Sequence, residues 1–346
     1  MNRLLRPGAV PAPSAEARAF HEALAGYRPT PVHGLPAAAA ETGVASVQVK
    51  DESDRLGLPA FKVLGASWAV ERALREQPAT RTLVAASAGN HGRAVAHVAA
   101  ARGLRCRVFL PARAVPARRD AIASEGAEVI VVDGSYEDAV ALAAAEGARD
   151  GTLEIADVGD SVPARWVIDG YATLFAEAAA QASFDLLLVP VGVGSLAAAA
   201  ARFAAATPEG LRVIGVEPVT AACLTASLAA GKPTVVATPG TTMAGLDCAE
   251  VSAAAWPSLR DGIHGTITVS DGETHAAMRE LASAGLAIGD SGAAPLAALR
   301  ALAADPGCAA LRDAVALGSS SRVLLVATEG PTDPPAYRAL LDRDQR

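Results

Sequence analysis

Between residues 79 and 146, short apolar segments alternate with amphipathic ones at a pace that fits a sheet of parallel strands joined by crossover helices. Segments 81–85, 106–110 and 128–132 read as strands, and 117–125 and 135–146 as helices. A second such region follows. Segment 185–189 is almost wholly apolar, as a strand covered on both faces must be, and it runs through Pro190 and Gly192 into an alanine-rich helix. Strands at 213–216, 265–269 and 323–327 and helices at 221–230, 271–285 and 293–303 continue the alternation, with a turn at 289–292.

Ahead of both regions, Ser14 and Glu16 mark the start of a helix over 14–27. Two prolines, Pro29 and Pro31, impose an extended segment there. A loop and helix over 33–43, a strand at 45–50, a charged turn at 51–55 and a helix over 62–76 complete the first part. The expectation is an α/β protein of two three-layer domains with mostly parallel twisted sheets. The smaller, 79–166, is inserted into a larger one made of 1–78 plus 167–346, which resumes with a helix at 166–182. A length of 346 residues suits two domains.

Charge and cysteine usage narrow the partners. A formal charge of -7 with no dense Lys/Arg cluster argues against nucleic acid. Segment 1–13 lacks the apolar run of a signal peptide. The longest uncharged run, 186–201, contains Pro190 and two glycines and is too short for a membrane span. A cytoplasmic protein acting on a small molecule is expected. Cys106, Cys223, Cys248 and Cys308 show no C-x-x-C spacing, so they are expected to be structural thiols and no metal site is expected.

The chain has only three lysines, Lys50, Lys62 and Lys232. Lys62 stands between Phe61 and Val63 at a helix start, where desolvation should lower its pKa toward the nucleophilic amine. A lysine whose stem covers apolar surface is the alternative. Three loops at strand ends carry further polar groups. Gly192-Val193-Gly194-Ser195 before a helix suits a phosphate cradle. It also suits a dinucleotide loop, with Glu217 as the ribose acid and Ala197 in place of the third glycine. Ser87-Ala88-Gly89-Asn90-His91-Gly92 can bind a carboxylate and a phenolate, or simply cap a helix. Thr328 can meet a ring nitrogen, or cap a helix.

Taken together and in this order, Ala60-Phe61-Lys62-Val63-Leu64-Gly65, Ser87 to Gly92, Gly192 to Ser195, Met243-Ala244-Gly245-Leu246, Gly289-Asp290-Ser291-Gly292 and Thr328-Glu329-Gly330 resemble the pyridoxal-phosphate enzymes of the tryptophan-synthase-β fold (fold type II). Within them the chain is most similar to diaminopropionate ammonia-lyases, a likeness strengthened by Lys50-Asp51-Glu52-Ser53, Arg55 and segment 166–174. The resemblance implies pyridoxal 5′-phosphate carried by Lys62 as a Schiff base, with Asn90 on its 3-hydroxyl. Gly192, Val193, Gly194 and Ser195 would hold the phosphate, and Thr328 would face the pyridine nitrogen. Ser87, Ala88, Gly89 and His91 would line the substrate site. Asp157, with Asp160 as the alternative, would be the catalytic acid after the strand at 152–156. The implied reaction is β-elimination on a 2,3-diaminopropionate-like amino acid by a homodimer. Serine/threonine dehydration, β-replacement and an inactive metabolite-binding relative are the alternatives, beside a nicotinamide oxidoreductase. Where the family carries an aspartate that can deprotonate the D-isomer, this chain has Ala88, which implies an L-substrate. Cys223 and Cys248 fall at positions where the family also has cysteines, near the site mouth.

Overall fold

The computed structural model describes residues 1–112, 114–207 and 210–342. Its strands are β1 (Val32–Gly34), β2 (Ser46–Asp51), β3 (Thr82–Ala85), β4 (Arg105–Pro111), β5 (Glu128–Val132), β6 (Thr152–Glu154), β7 (Leu186–Pro190), β8 (Arg212–Pro218), β9 (Gly265–Val269) and β10 (Arg322–Ala327). They form two sheets. One has the order β1-β2-β10-β7-β8-β9 and the other β5-β4-β3-β6. Every neighbouring pair is parallel except β1 with β2.

Side chains alternate between two covered faces, which explains why β7, and β10 from Val323 on, are apolar. Leu187, Val189, Leu324 and Val326 pack with the helix Ser195–Ala205 on one face, while Leu186, Leu188, Val323 and Leu325 pack with the helix Asp290–Ala304 on the other. The smaller sheet is layered in the same way. Val84, Phe109 and Val132 meet Ala139 and Ala143 of the helix Tyr136–Gly147. Leu83, Ala85, Val108 and Leu110 meet the helix Asn90–Ala101. Among the described residues no helix is long and apolar enough to cross a membrane.

Several sequence expectations need correction. The first helix is Glu16–Glu22 and not 14–27, and no side chain caps it; the chain leaves it through a turn at Gly26, whose φ is 77°. The segment expected as one helix over 166–182 is two, Val162–Gly170 and Ala172–Gln181, joined by an i to i−3 bond from Tyr171 N to Ile168 O of 3.2 Å. The cause lies in how closely two helices cross there. A Cβ at Gly170 would sit 2.6 Å from Leu64 O, and one at Gly65 would sit 2.6 Å from Tyr171 Cε1. The turn expected at 289–292 is already the first turn of Asp290–Ala304. A helix at Trp256–Gly262 was not foreseen.

The expected charged turn at 51–55 is the largest departure, because Glu52 and Arg55 are buried. Arg55 Nη2 donates to Glu52 Oε1 at 2.6 Å and Arg55 Nη1 to Glu177 Oε1 at 2.7 Å. Lys50 Nζ donates to Glu177 Oε2 at 2.7 Å. Two cations thus face two carboxylates, with Thr30 Oγ1 donating to Glu52 at 2.5 Å. A buried pair is stable only as a complete set, since each charge left alone keeps its desolvation cost. The cluster fastens the segment before Lys62 to the helix Ala172–Gln181. Nearby, His21 is fully buried, its Nε2–H donating to Leu64 O at 2.9 Å and its Nδ1 accepting from Thr173 Oγ1 at 2.7 Å.

Replacing Glu177 with Ala should therefore cost about 3–5 kcal/mol of unfolding free energy in urea, whereas Glu22→Ala, at the exposed pair with Arg18, should cost under about 1 kcal/mol. Burial also pushes His21 down to about 4 from the ordinary 6.5. A group depressed in the folded state binds its proton first in the unfolded chain. His21 should thus withdraw up to about 3 kcal/mol of stability as pH falls from 7 to 4, a loss that His21→Gln should abolish in acid unfolding curves.

Candidate active site

Segment 59–61 runs antiparallel to 328–330 and delivers Lys62 to the C-terminal ends of the larger sheet. Phe61 N donates to Thr328 O at 3.2 Å and Gly330 N to Pro59 O at 3.0 Å. Lys62 is the first residue of the helix Lys62–Glu76. Its Nζ donates to Asp157 Oδ2 at 2.9 Å and lies 5.4 Å and 5.9 Å from the ring centres of Phe61 and Tyr171. The backbone carbonyl of Asp157 in turn accepts from Ser195 Oγ at 3.2 Å. One residue therefore joins the lysine amine to the glycine turn. The alternative acid, Asp160, is exposed and paired with Arg165.

The electrostatics differ from the sequence expectation. Desolvation does oppose the charged amine, but the carboxylate of Asp157 outweighs it, so the Lys62 pKa is raised and the residue is an ammonium. Asp157 shows the converse. Burial alone would raise it, but His91 and Lys62 together push it down to about 2. Lys62 and Asp157 form an ion pair, and the amine so held is not a free nucleophile.

At the glycine turn, Gly194 has φ 90° and precedes the first turn of Ser195–Ala205, whose leading N–H groups have no carbonyl within the helix. A Cβ at Gly192 would lie 2.6 Å from Gly245 O, so the backbone there can be only glycine while the loop around 245 keeps its place. Cys223 Sγ lies 3.5 Å from Gly192 O, and Cys248 Sγ is beside the same glycine. Both thiols are free, and burial pushes Cys248 up to about 12. Glu217, the ribose acid of a dinucleotide site, is fully buried and accepts from Leu224 N at 2.6 Å and Thr225 N at 2.9 Å, capping the helix Cys223–Ala230. That use excludes the ribose role.

The smaller sheet supplies the loop after β3. Ser87 Oγ accepts from Gly89 N at 3.3 Å, and Ala88 packs its methyl against the core. His91 is buried, with Nε2–H donating to Ile155 O at 2.7 Å and Nδ1 facing Asp157 Oδ2 at 3.7 Å. Asn90 Nδ2 donates to Glu329 Oε2 at 2.5 Å. Thr328 Oγ1 is buried and makes no hydrogen bond among the described residues. A buried hydroxyl left without a partner fits a ligand atom that supplies one, and a pyridine nitrogen is such an atom. The ammonium, the glycine turn at a helix start and this hydroxyl together suit an aldehyde with a ring nitrogen and an anionic tail.

Sequence reasoning assigned no role to Glu329, Tyr136 or Tyr171. Tyr136 Oη donates to Ala86 O at 3.4 Å, and Asp157, Cys248 and Lys62 lie close enough to act on its ionisation. Glu329 had one visible signal, an acid following Thr328 at the end of a buried strand. The two tyrosines had none.

Residues 23–329 match the family model described as "Pyridoxal-phosphate dependent enzyme". The chain belongs to this family, and its cofactor is pyridoxal phosphate. More particularly, it is 33% identical to the diaminopropionate ammonia-lyase of Escherichia coli K12, over 94% of this chain and 90% of that protein. The biosynthetic L-threonine dehydratase of the same organism is 30% identical over 73% of this chain and 49% of its own. The crystal structure of the E. coli ammonia-lyase with an aminoacrylate–PLP azomethine reaction intermediate superposes with a TM-score of 0.89 at 32% identity, covering 98% of this chain and 95% of that one. Maize serine racemase superposes at 0.82 with 25% identity, covering 96% and 98%. The fold is that of fold type II.

The ion pair has a pH signature. Asp157 is depressed below its ordinary 3.8 and Lys62 raised above its ordinary 10.5. The stability contributed by the carboxylate is thus present above about pH 4 and lost as pH falls toward 2, and that of the ammonium is lost only above about pH 10. For the cofactor-free protein, the unfolding free-energy difference between wild type and Asp157→Asn should stay level from pH 5 to 9 and shrink below pH 4.

Proposed function

We propose that this protein is a carbon–nitrogen lyase that eliminates the β-amino group of L-2,3-diaminopropionate, or a closely similar amino acid, to give a 2-keto acid and ammonia. The observation that carries the reading is the contact between Lys62 and Asp157. Were Lys62 to carry the cofactor, Asp157 would no longer face its ammonium, and a buried carboxylate left without a cation keeps its desolvation cost. A carboxylate so placed attracts a second cation. A substrate with a β-ammonium supplies one, and a β-hydroxyl does not.

Bound in this site, pyridoxal phosphate supplies an electron sink for the pair released when a proton leaves the substrate α-carbon. In this reading Lys62, freed by the substrate amine, takes that proton. Asp157 orients the β-nitrogen, which departs as ammonia. Thr328 offers the ring nitrogen a hydroxyl and not a charge, which keeps electron density near the α-carbon and favours loss of the β-group. Asn90 holds the ring 3-oxygen, and Gly192, Val193, Gly194 and Ser195 hold the phosphate. Ser87, Gly89 and His91 are proposed to border the substrate. The released enamine takes up water and yields the keto acid and a second ammonia.

Ala88 sets the stereochemistry in this proposal. Its methyl cannot accept a proton, so the face of the substrate opposite Lys62 has no base in that turn. An E. coli relative has been crystallised with D-serine; here the L-series is the expected substrate. The division into 1–78 with 167–346 and 79–166 belongs to the same reading. The smaller unit brings Asn90 and Asp157, and the larger brings Lys62, the glycine turn and Thr328. A cytoplasmic homodimer completes the proposal, supported by four free thiols and by the family resemblance.

An amino-acid panel tests it. L-2,3-diaminopropionate should yield pyruvate and two ammonia per turnover, with the D-isomer slower by at least about 100-fold, as expected when a base is missing. Asp157→Asn should lower kcat/KM for diaminopropionate by about 10²–10⁴ and reduce any serine turnover much less. Preferred turnover of serine or threonine would make the protein a dehydratase. Efficient use of the D-isomer would contradict the role given to Ala88, and no turnover of any β-substituted amino acid would leave an inactive metabolite-binding relative.

A further inference from the structure

The contact between Asn90 and Glu329 is not needed by the chemistry above, yet it crosses from one sheet to the other. Asn90 is the first residue of the helix after β3, and Glu329 follows the last strand of the larger sheet. Glu329 is 7% exposed, and its backbone is fixed twice: Gly289 N donates to its carbonyl at 2.9 Å, and it bridges to Ala60. Two glycine loops lie beside it as well. A Cβ at Gly289 would lie 3.4 Å from Glu329 Cγ, and one at Gly245 would lie 3.9 Å from Glu329 Oε2. The carboxyl is thus held at one place, with Asn90 Nδ2 at 2.5 Å.

A carboxamide has a donating end and an accepting end that are nearly the same shape, so packing alone does not decide which one faces a neighbour. Hydrogen bonding does. Turned over, Asn90 would set its carbonyl oxygen against the carboxyl oxygen of Glu329, acceptor to acceptor. It would also present an acceptor to an anionic ring oxygen. In the observed orientation one N–H goes to Glu329, and the planar amide directs the other away from it. Resting on the assignment of Asn90 to the cofactor, we propose that Glu329 is a positioning residue: it fixes the Asn90 amide so that N–H faces the 3-oxygen of pyridoxal phosphate.

Equilibrium binding to cofactor-free full-length protein, followed by absorbance, separates this role from a merely structural one. Two probes are compared, pyridoxal 5′-phosphate and its 3-O-methyl ether, which cannot offer an anionic oxygen. Glu329→Ala should weaken binding of pyridoxal phosphate about tenfold, as loss of one charge-assisted hydrogen bond would. It should change binding of the ether by less than about twofold. Glu329→Gln, whose carbonyl can still accept from Asn90, should recover most of the loss. In an Asn90→Ala background, Glu329→Ala should add less than about a twofold further loss. Equal losses for both probes, or the same tenfold loss with and without Asn90, would overturn the proposal and leave Glu329 a packing residue. Wild-type protein that binds neither probe would refute the cofactor assignment itself, which is a different failure.

Discussion

The ion pair between Lys62 and Asp157 is the constraint on which the arrangement of the site depends. It joins a lysine carried at the end of the larger sheet to an acid that follows β6 of the smaller one, across a 2.9 Å contact. Because the Asp157 carbonyl also accepts from Ser195, the amine and the glycine turn are held in register by a single intermediate residue. Neither charge would be stable there alone. Each is buried enough to have lost much of its hydration, and the pair restores what burial removes. The same pairing that quiets the lysine means that the carboxylate would need a substrate cation in the ammonium's place once the lysine is engaged.

Everything that holds this pair in place is built from equally specific contacts. The helix of Lys62 crosses Val162–Gly170 at a point where Gly65 and Gly170 leave no room for a Cβ. In the segment before that helix, Lys50, Glu52 and Arg55 form a buried, charge-balanced set with Glu177. His21, kept neutral by burial, ties the first helix to the Leu64 carbonyl within the first turn after Lys62. These are polar contacts in a dry interior, each costly if left incomplete. They fix one arrangement of the lysine helix where apolar packing alone would tolerate several.

The layered α/β architecture was legible in the sequence because strand burial on two faces leaves a pattern that few other folds share. Segments 128–132 and 265–269 coincide with β5 and β9 residue for residue. The site motifs were legible too, since Lys62, the glycine turn and Thr328 all sit at strand ends or helix starts. What the sequence could not show was pairing at a distance. Asp51 to Arg55 looks like a solvated turn until Glu177, more than a hundred residues later, is folded against it. The helix over 166–182 looks continuous until Gly65 meets Tyr171. Desolvation of Lys62 was readable from Phe61 and Val63, but the sign of its pKa shift depends on Asp157, which only the tertiary fold brings within hydrogen-bond reach.

The central claim is that one amine, that of Lys62, carries the cofactor. The chain has two other lysines, Lys50, buried in its ionic set, and Lys232, just past the helix Cys223–Ala230. Borohydride reduction of the pyridoxal-phosphate-loaded protein, followed by peptide mass spectrometry, reads the attachment point directly. The account predicts a phosphopyridoxyl group on Lys62 alone; a label on Lys50 or Lys232, or none on Lys62, would contradict it.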